Sequence, residues 1–415
     1  MPETALPLTA AQSELWQRCV REPGNAVYNL GGVYDIHGPL DPARWTAAVR
    51  TAVREAETLR VRFVPEAGET RQAVVAAEPE IARLELSRDA AEAWMRADVR
   101  TPFDLTAPML PRFALIRLAP EHHLGYVCVH HVVSDGFSQL LLFRRILEIY
   151  DAGPDAGKGA PAPLRLLVED DVAYHADPAR HGTDRAVWAS RFPGECEPTT
   201  LSSRPFVPAA DFVRESAVVP GAVAQQLRAA AWEVRAALPV LLIAATAAYV
   251  ERITGTTDVL LNLLTTARTD AQLRPIPGMV ANAVPVPVTV RPGMTRGELV
   301  TEAAVEIKRT VRHQRYRGRR VREHMGLPGD PRPFGPTVNI LRVGQERHFG
   351  GCRATVHDVS TGQVDDIEFV IGETPDGGLP LTVIANPALY DQDEVAAHAT
   401  RFVAFLADFA REGSL

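Results

Sequence analysis

Cysteine is scarce in this chain, and the four thiols, Cys19, Cys128, Cys196 and Cys352, are scattered over 415 residues without a CxxC pair. That spacing excludes a disulfide framework and a thiolate zinc site. An excess of positive charge is also missing: 44 basic against 51 acidic side chains leave a net charge of −7. Binders of duplex nucleic acid need a basic face to neutralise phosphates, so no nucleic-acid partner is expected. Long apolar runs are lacking too, since the longest, residues 236–250, is too short to cross a bilayer and contains Pro239. The opening MPETALPLTAAQ has neither the positive region nor the apolar stretch of a secretory signal. These absences lead to the expectation of a cytoplasmic protein with no membrane partner. No period of 20–50 residues repeats.

The composition that remains, 46% hydrophobic and 23% charged, is that of a globular protein. Its length exceeds the roughly 250–300 residues at which one core stops growing, so two domains are expected. Residues 152–163, AGPDAGKGAPAP, cannot form either regular element and mark the expected linker, which sets domains at 1–163 and 164–415. Asp41-Pro42 reads as a cap and first-turn proline, followed by Trp45, Ala48, Val49, Ala52 and Val53 at helical spacing. Strand pairs are expected at Leu59–Val64 with Gln72–Val75, and at Leu110–Leu118 with Leu124–His130, the latter joined by a polar turn, 119–123. The second half alternates helical stretches (221–236, 239–254, 298–324, 392–411) with strands near 259–264, 284–290, 336–343, 365–372 and 380–385. The fold class is therefore mixed α/β.

Chemistry concentrates in YVCVHHVVSDGFSQ, residues 126–139. An apolar strand delivers His130 and His131 at its end, and Asp135-Gly136 opens a helix. Strand alternation puts the two imidazoles on opposite faces, so one can work while the other packs. Each residue alone has an ordinary explanation: a structural histidine, a helix cap, a turn glycine. As HHxxxDG between a strand and a helix they form a specific pattern. A metal is not expected, because third and fourth ligands at usual spacing are missing and His122-His123 falls in the polar turn.

These residues resemble the condensation domain of nonribosomal peptide synthetases, in the superfamily that contains chloramphenicol acetyltransferase. The likeness runs nearly end to end: LPLTAAQSELW (6–16), ETLRVRF (57–63), PFDLTAPMLPRFAL (102–115), HHVVSDG, LLTTART ending at Arg268-Thr269, and GMVANAVPVPV (278–288) follow in the family's motif order. Ser13, Ala56 and Ala283 depart from residues usual in the family. Both histidines are kept, unlike in heterocyclising relatives.

The resemblance implies two acetyltransferase-like lobes arranged as a V around a central tunnel. Phosphopantetheine arms of donor and possibly acceptor carrier proteins would enter it, and no cofactor would be permanently bound. It implies amide formation from a carrier-bound acyl or aminoacyl thioester, with His131 orienting the amine and accepting its proton, and with Asp135 and Gly136 completing the catalytic group. Asp135 would pair with Arg268 from the other lobe. His130, Arg60 and Arg62 would support the site, Arg60 and Arg62 as ion-pair residues, while Asn282 and Ser138 would line the tunnel. Ester formation by the same fold and a non-catalytic recruitment domain stay open as alternatives. The run 308–322 carries eight Lys/Arg and no acid; it is either a solvated helix face or a docking surface for acidic carrier proteins. The chain is expected to act as a monomer, either stand-alone or cut from a longer synthetase, and its initial Met fits a stand-alone chain or a first module's start.

Overall fold

The computed structural model describes all residues except 1–4, 67, 109–110, 154–159, 210, 330–331 and 412–415. Part of the expected linker, 154–159, thus lies outside the described residues. The chain divides into two compact units, one of Met1–Pro178, Thr266–Ala281 and Gly344–Gly362, the other of Ala179–Thr265, Asn282–Val343 and Gln363–Leu415. This differs from a cut at 163. The helix Leu164–Ala176 buries Leu164, Leu167 and Val168 in the first unit's core, and two later segments also belong to that unit.

The first unit is built on a six-stranded sheet in the order Arg347–Phe349, Cys352–Thr361, Asn29–His37, His122–His130, Arg112–Ala119, Ile81–Glu85. All its neighbours are antiparallel except the last pair. The strand Cys352–Thr361 pairs with Asn29–His37 from Arg353 opposite His37 to Thr361 opposite Leu30, so a late segment closes an early sheet. Helices cover both faces because strand residues alternate between them. Tyr34, Ile36, Val127 and Val129 meet Pro42–Glu55 and Gly136–Ala152, while Val33, Tyr126 and Cys128 meet Arg88–Val99. Asp41 caps the helix Pro42–Glu55, its Oδ1 accepting from the N–H groups of Ala43 at 2.8 Å and Arg44 at 3.1 Å. The expected polar turn at 119–123 is shorter than read, since the strand already begins at His122.

The second unit has its own six-stranded sheet, ordered Asn282–Thr289, Asp258–Thr265, Thr337–Arg342, Ile367–Glu373, Leu379–Ala385, Val213–Val219. Pro285 and Pro287 sit on its edge strand, where a missing N–H costs no ladder bond on the open side. Leu238–Thr254, the helix of the apolar run, is buried from Leu241 to Val250. Among the described residues no single helix is long and apolar enough to cross a membrane. The expected basic helix is two, Arg296–Arg312 and Gly318–His324, broken at 313–317.

Candidate active site

The junction between His122–His130 and Gly136–Ala152 is tied at each of its ends. The His131 N–H donates to the Tyr28 carbonyl at 2.8 Å, and the Val133 carbonyl accepts from the Thr58 hydroxyl at 2.9 Å. Inside the turn the N–H groups of Val133 and Ser134 donate back to the His130 and His131 carbonyls at 3.1 and 3.3 Å. The two imidazoles part as the alternation requires. His130 is 3% exposed and packs among Tyr28, Phe103 and Cys19, its Nδ1 accepting from the Val132 N–H at 3.2 Å. Burial, with the nearby charges of His131 and Arg112, pushes its pKa down to about 3.

His131 turns to the other face and is half-buried. Burial lowers its pKa, and the Asp135 carboxylate only partly counters this, so the ring is neutral near pH 7. Its Nδ1 is buried without a partner among the described residues. Gly362 backs the ring: it sits at φ +92°, and a Cβ there would come within 3.0 Å of His131 Cδ2.

Asp135 caps the helix Gly136–Ala152, and both its oxygens are fully engaged. Oδ1 accepts from the Ser138 N–H at 2.9 Å and lies 2.8 Å from the Ser138 hydroxyl. Oδ2 accepts from Arg268 Nη1 at 2.7 Å and from the N–H groups of Val280 at 3.2 Å and Ala281 at 3.1 Å. The ion pair is dry, its side chains 1% and 2% exposed. Burial alone would raise the Asp135 pKa, but the Arg268 charge and these hydrogen bonds outweigh it and hold the carboxyl below its ordinary range. Arg268 Nη2 donates to the Ser138 hydroxyl and to the Gly278 carbonyl, both at 2.9 Å, and the Gly278 N–H donates to Ser138 at 2.9 Å. Gly278 must be small, since a Cβ would meet Leu167 Cδ2 at 2.6 Å. Thr9, cap of the helix Ala10–Arg21, donates to the neighbouring Met279 carbonyl at 3.1 Å.

Several expectations change in this light. Arg268 does reach Asp135, but as part of the same compact unit rather than from another lobe. Asp135 has no oxygen left for a substrate, so it positions rather than reacts. Ser138 is 1% exposed and belongs to that network, not to a lining surface. Asn282, 3% exposed in the second unit, gives its amide to the Gln314 and Tyr316 carbonyls, each at 2.8 Å, and takes the Gly318 N–H at 3.1 Å. It clamps the break between the two basic helices instead of lining a channel. Arg60 donates to the carbonyls of Val53, Val75 and Arg54 rather than to a carboxylate, and exposed Arg62 has no ion pair among the described residues. Gly136 is exposed, and a Cβ there would touch nothing within 4 Å, so protein packing does not demand glycine. Thr58, Gly278 and Gly362 escaped the sequence reading as individual residues, although the first two stand inside recognised motifs. The basic run is partly spent internally: Arg309 pairs with Glu306 and Arg320 with Glu323, each at 3.0 Å, and Arg317 is buried.

The site is thus a histidine pair at a strand end, followed at fixed spacing by a buried Asp–Arg-locked helix start, on a fold of two mixed α/β units. The family model described as Condensation domain matches residues 2–415, and the chain belongs to that family. It is 31% identical over 98% of its length to the dimodular nonribosomal peptide synthase of Bacillus subtilis (strain 168), covering 18% of that protein. To the isonitrile lipopeptide synthase of Streptomyces coeruleorubidus it is 34% identical over 94% of its length, covering 27%. The chain thus spans a minor part of these relatives. Among solved structures, the starter condensation domain of rhizomide synthetase in complex with C8-CoA and Leu-SNAC superposes with a TM-score of 0.91 at 32% identity, over 99% of this chain and 95% of that one. The first condensation domain of the CDA synthetase does so at 0.90 and 31%, over 99% and 97%.

Proposed function

We propose that this chain transfers a carrier-bound acyl group to an amine acceptor, forming an amide. The observation that carries this is the state of His131: neutral, half-buried, anchored through its own N–H and backed by Gly362, next to a helix start that Asp135 and Arg268 hold in place. A thioester is already activated, so the enzyme must chiefly position the partners, accept a proton and stabilise an oxyanion. The amine nitrogen attacks the thioester carbonyl, and the new C–N bond makes a tetrahedral intermediate. His131 takes the amine proton, the C–S bond breaks, and the proton passes to the leaving pantetheine sulfur. Gly136 is the first residue of its helix, whose positive end favours the developing oxyanion.

Within this reading the donor is an acyl thioester on a phosphopantetheine arm and the acceptor an aminoacyl thioester. The rhizomide synthetase domain, solved with C8-CoA and Leu-SNAC, supports that pairing. The test is intact-protein mass spectrometry of candidate carrier proteins incubated with the chain, an acyl thioester, and matched amine and alcohol acceptors. Acyl mass gained by the amine acceptor is the expected result. Gain only by the alcohol would make the chain an ester-forming enzyme, and no transfer in any pairing would leave the recruitment reading.

A further inference from the structure

Far along the strands from His131, the first unit's sheet gathers a second histidine pair. Asn29–His37 and His122–His130 run antiparallel with His37 directly opposite His122. Asp35, two residues before His37, shares their face. Directly opposed side chains in such a pair are within touching distance, and here the rings stack with centroids 4.0 Å apart and planes 23° from parallel. Both Nε2 atoms close on one oxygen, Asp35 Oδ1 lying 3.1 Å from His37 and 2.7 Å from His122. One donor atom from each of the three residues lies within 4.8 Å of the others.

The arrangement as it stands is frustrated. Arg88 Nη2 lies 2.8 Å from Asp35 Oδ2 and 3.1 Å from His122 Nε2. His122 Nε2 therefore faces an acceptor and a donor at once, and one ring nitrogen cannot carry a hydrogen for the carboxylate and be bare for the guanidinium. A cation between the three ligands removes the conflict, because Nε2 and Oδ1 then both act as lone-pair donors to it. Asp35 brings a carboxylate to the set, its side chain 14% exposed. Arg353, opposite His37 on the third strand, pairs with Glu346 at 3.1 Å, which also meets His348 at 3.0 Å.

We propose that Asp35, His37 and His122 form a binding site for a divalent cation of the zinc class. Two imidazoles and a carboxylate suit zinc, cobalt, nickel or copper rather than the hard cations magnesium and calcium. A groove of about 770 Å³, lined by His37 and His122 together with Glu121, His348 and Cys352, leaves room for further ligands to complete the coordination. Arg88, its side chain 43% exposed, is the internal cation that competes for the site and swings aside when the metal enters.

The test titrates zinc alone into the purified full chain by calorimetry, with cobalt absorption as a second readout. One metal per chain is expected. Asp35→Asn and His122→Ala should each weaken binding at least ten-fold, in line with the 10–100-fold cost known for losing even an outer-shell partner. His37→Ala should do the same, and its ring, 41% exposed, can be removed without emptying the core. Arg88→Ala should tighten binding several-fold. No saturable binding by the wild-type chain, or binding retained in a folded His37→Ala variant, would overturn the site; weaker or unchanged binding by Arg88→Ala would overturn the competition.

Discussion

His130 and His131 are chain neighbours in opposite chemical settings, and the difference can be measured separately for each. His131→Ala should lower turnover by roughly 10²–10⁴, the range for loss of a positioned acid–base group. The circular dichroism of the variant should match wild type, and unchanged turnover with every acceptor would remove His131 from the chemistry. His130 reports through pH instead. The unfolded chain binds a proton on this ring below about 6.5, whereas the folded chain refuses it until about 3. Stability therefore falls as pH drops through that window, by up to about 1.4 kcal/mol per pH unit for this ring. His130→Asn keeps an acceptor for the Val132 N–H and should flatten the slope of denaturant stability between pH 6 and 4; a slope equal to wild type would show that His130 titrates normally. That the two rings face opposite ways was legible from alternation alone. The fates of Ser138, Asn282 and Arg60 were not, because the backbone groups they bind lie from 6 to 140 positions away and follow no periodic pattern.

At the scale of elements, the helix start at Gly136 is fixed by a segment 130–146 positions further on. The dry Asp135–Arg268 pair fastens residues 266–281 to that helix, and loss of either partner strands a buried charge at a cost of about 3–5 kcal/mol. Asp135→Ala and Arg268→Ala should each destabilise the fold and abolish activity. The double variant should recover part of the stability and none of the activity, so strict additivity of the denaturation energies would show that the two residues do not interact. Gly278→Ala should cost about 1–3 kcal/mol, the usual range for overpacking, because its new methyl group meets Leu167; a denaturant midpoint equal to wild type would refute that contact. The helices and most strands of the second half could be read from periodicity. The strand Asn29–His37 could not, since Leu30-Gly31-Gly32-Val33 lacks a clean alternation and its burial comes from a sheet closed on both sides.

For the whole molecule, the late strand Cys352–Thr361 decides what can fold alone. Residues 1–178 by themselves would leave Asn29–His37 as an open edge and Asp135 without Arg268. Open apolar edges pair with other chains. That fragment is expected to aggregate or to lack near-ultraviolet circular dichroism, and a cooperatively melting monomer would contradict the division into units. Adding residues 266–281 and 344–362 through designed linkers should restore a single transition.

The sequence by itself determined the class of protein, because HHxxxDG and the motifs around it are local patterns whose order survives in the linear chain. It also determined that the two histidines face opposite ways, since the strand period is two. Only the tertiary structure decided that Arg268 joins the unit of Asp135, that residues 352–361 complete the first sheet, and that Asp35, His37 and His122 converge. Each of these depends on strand register or on a connection between distant segments. Such choices are set by packing and hydrogen-bond closure over the whole core, which no window of neighbouring residues contains.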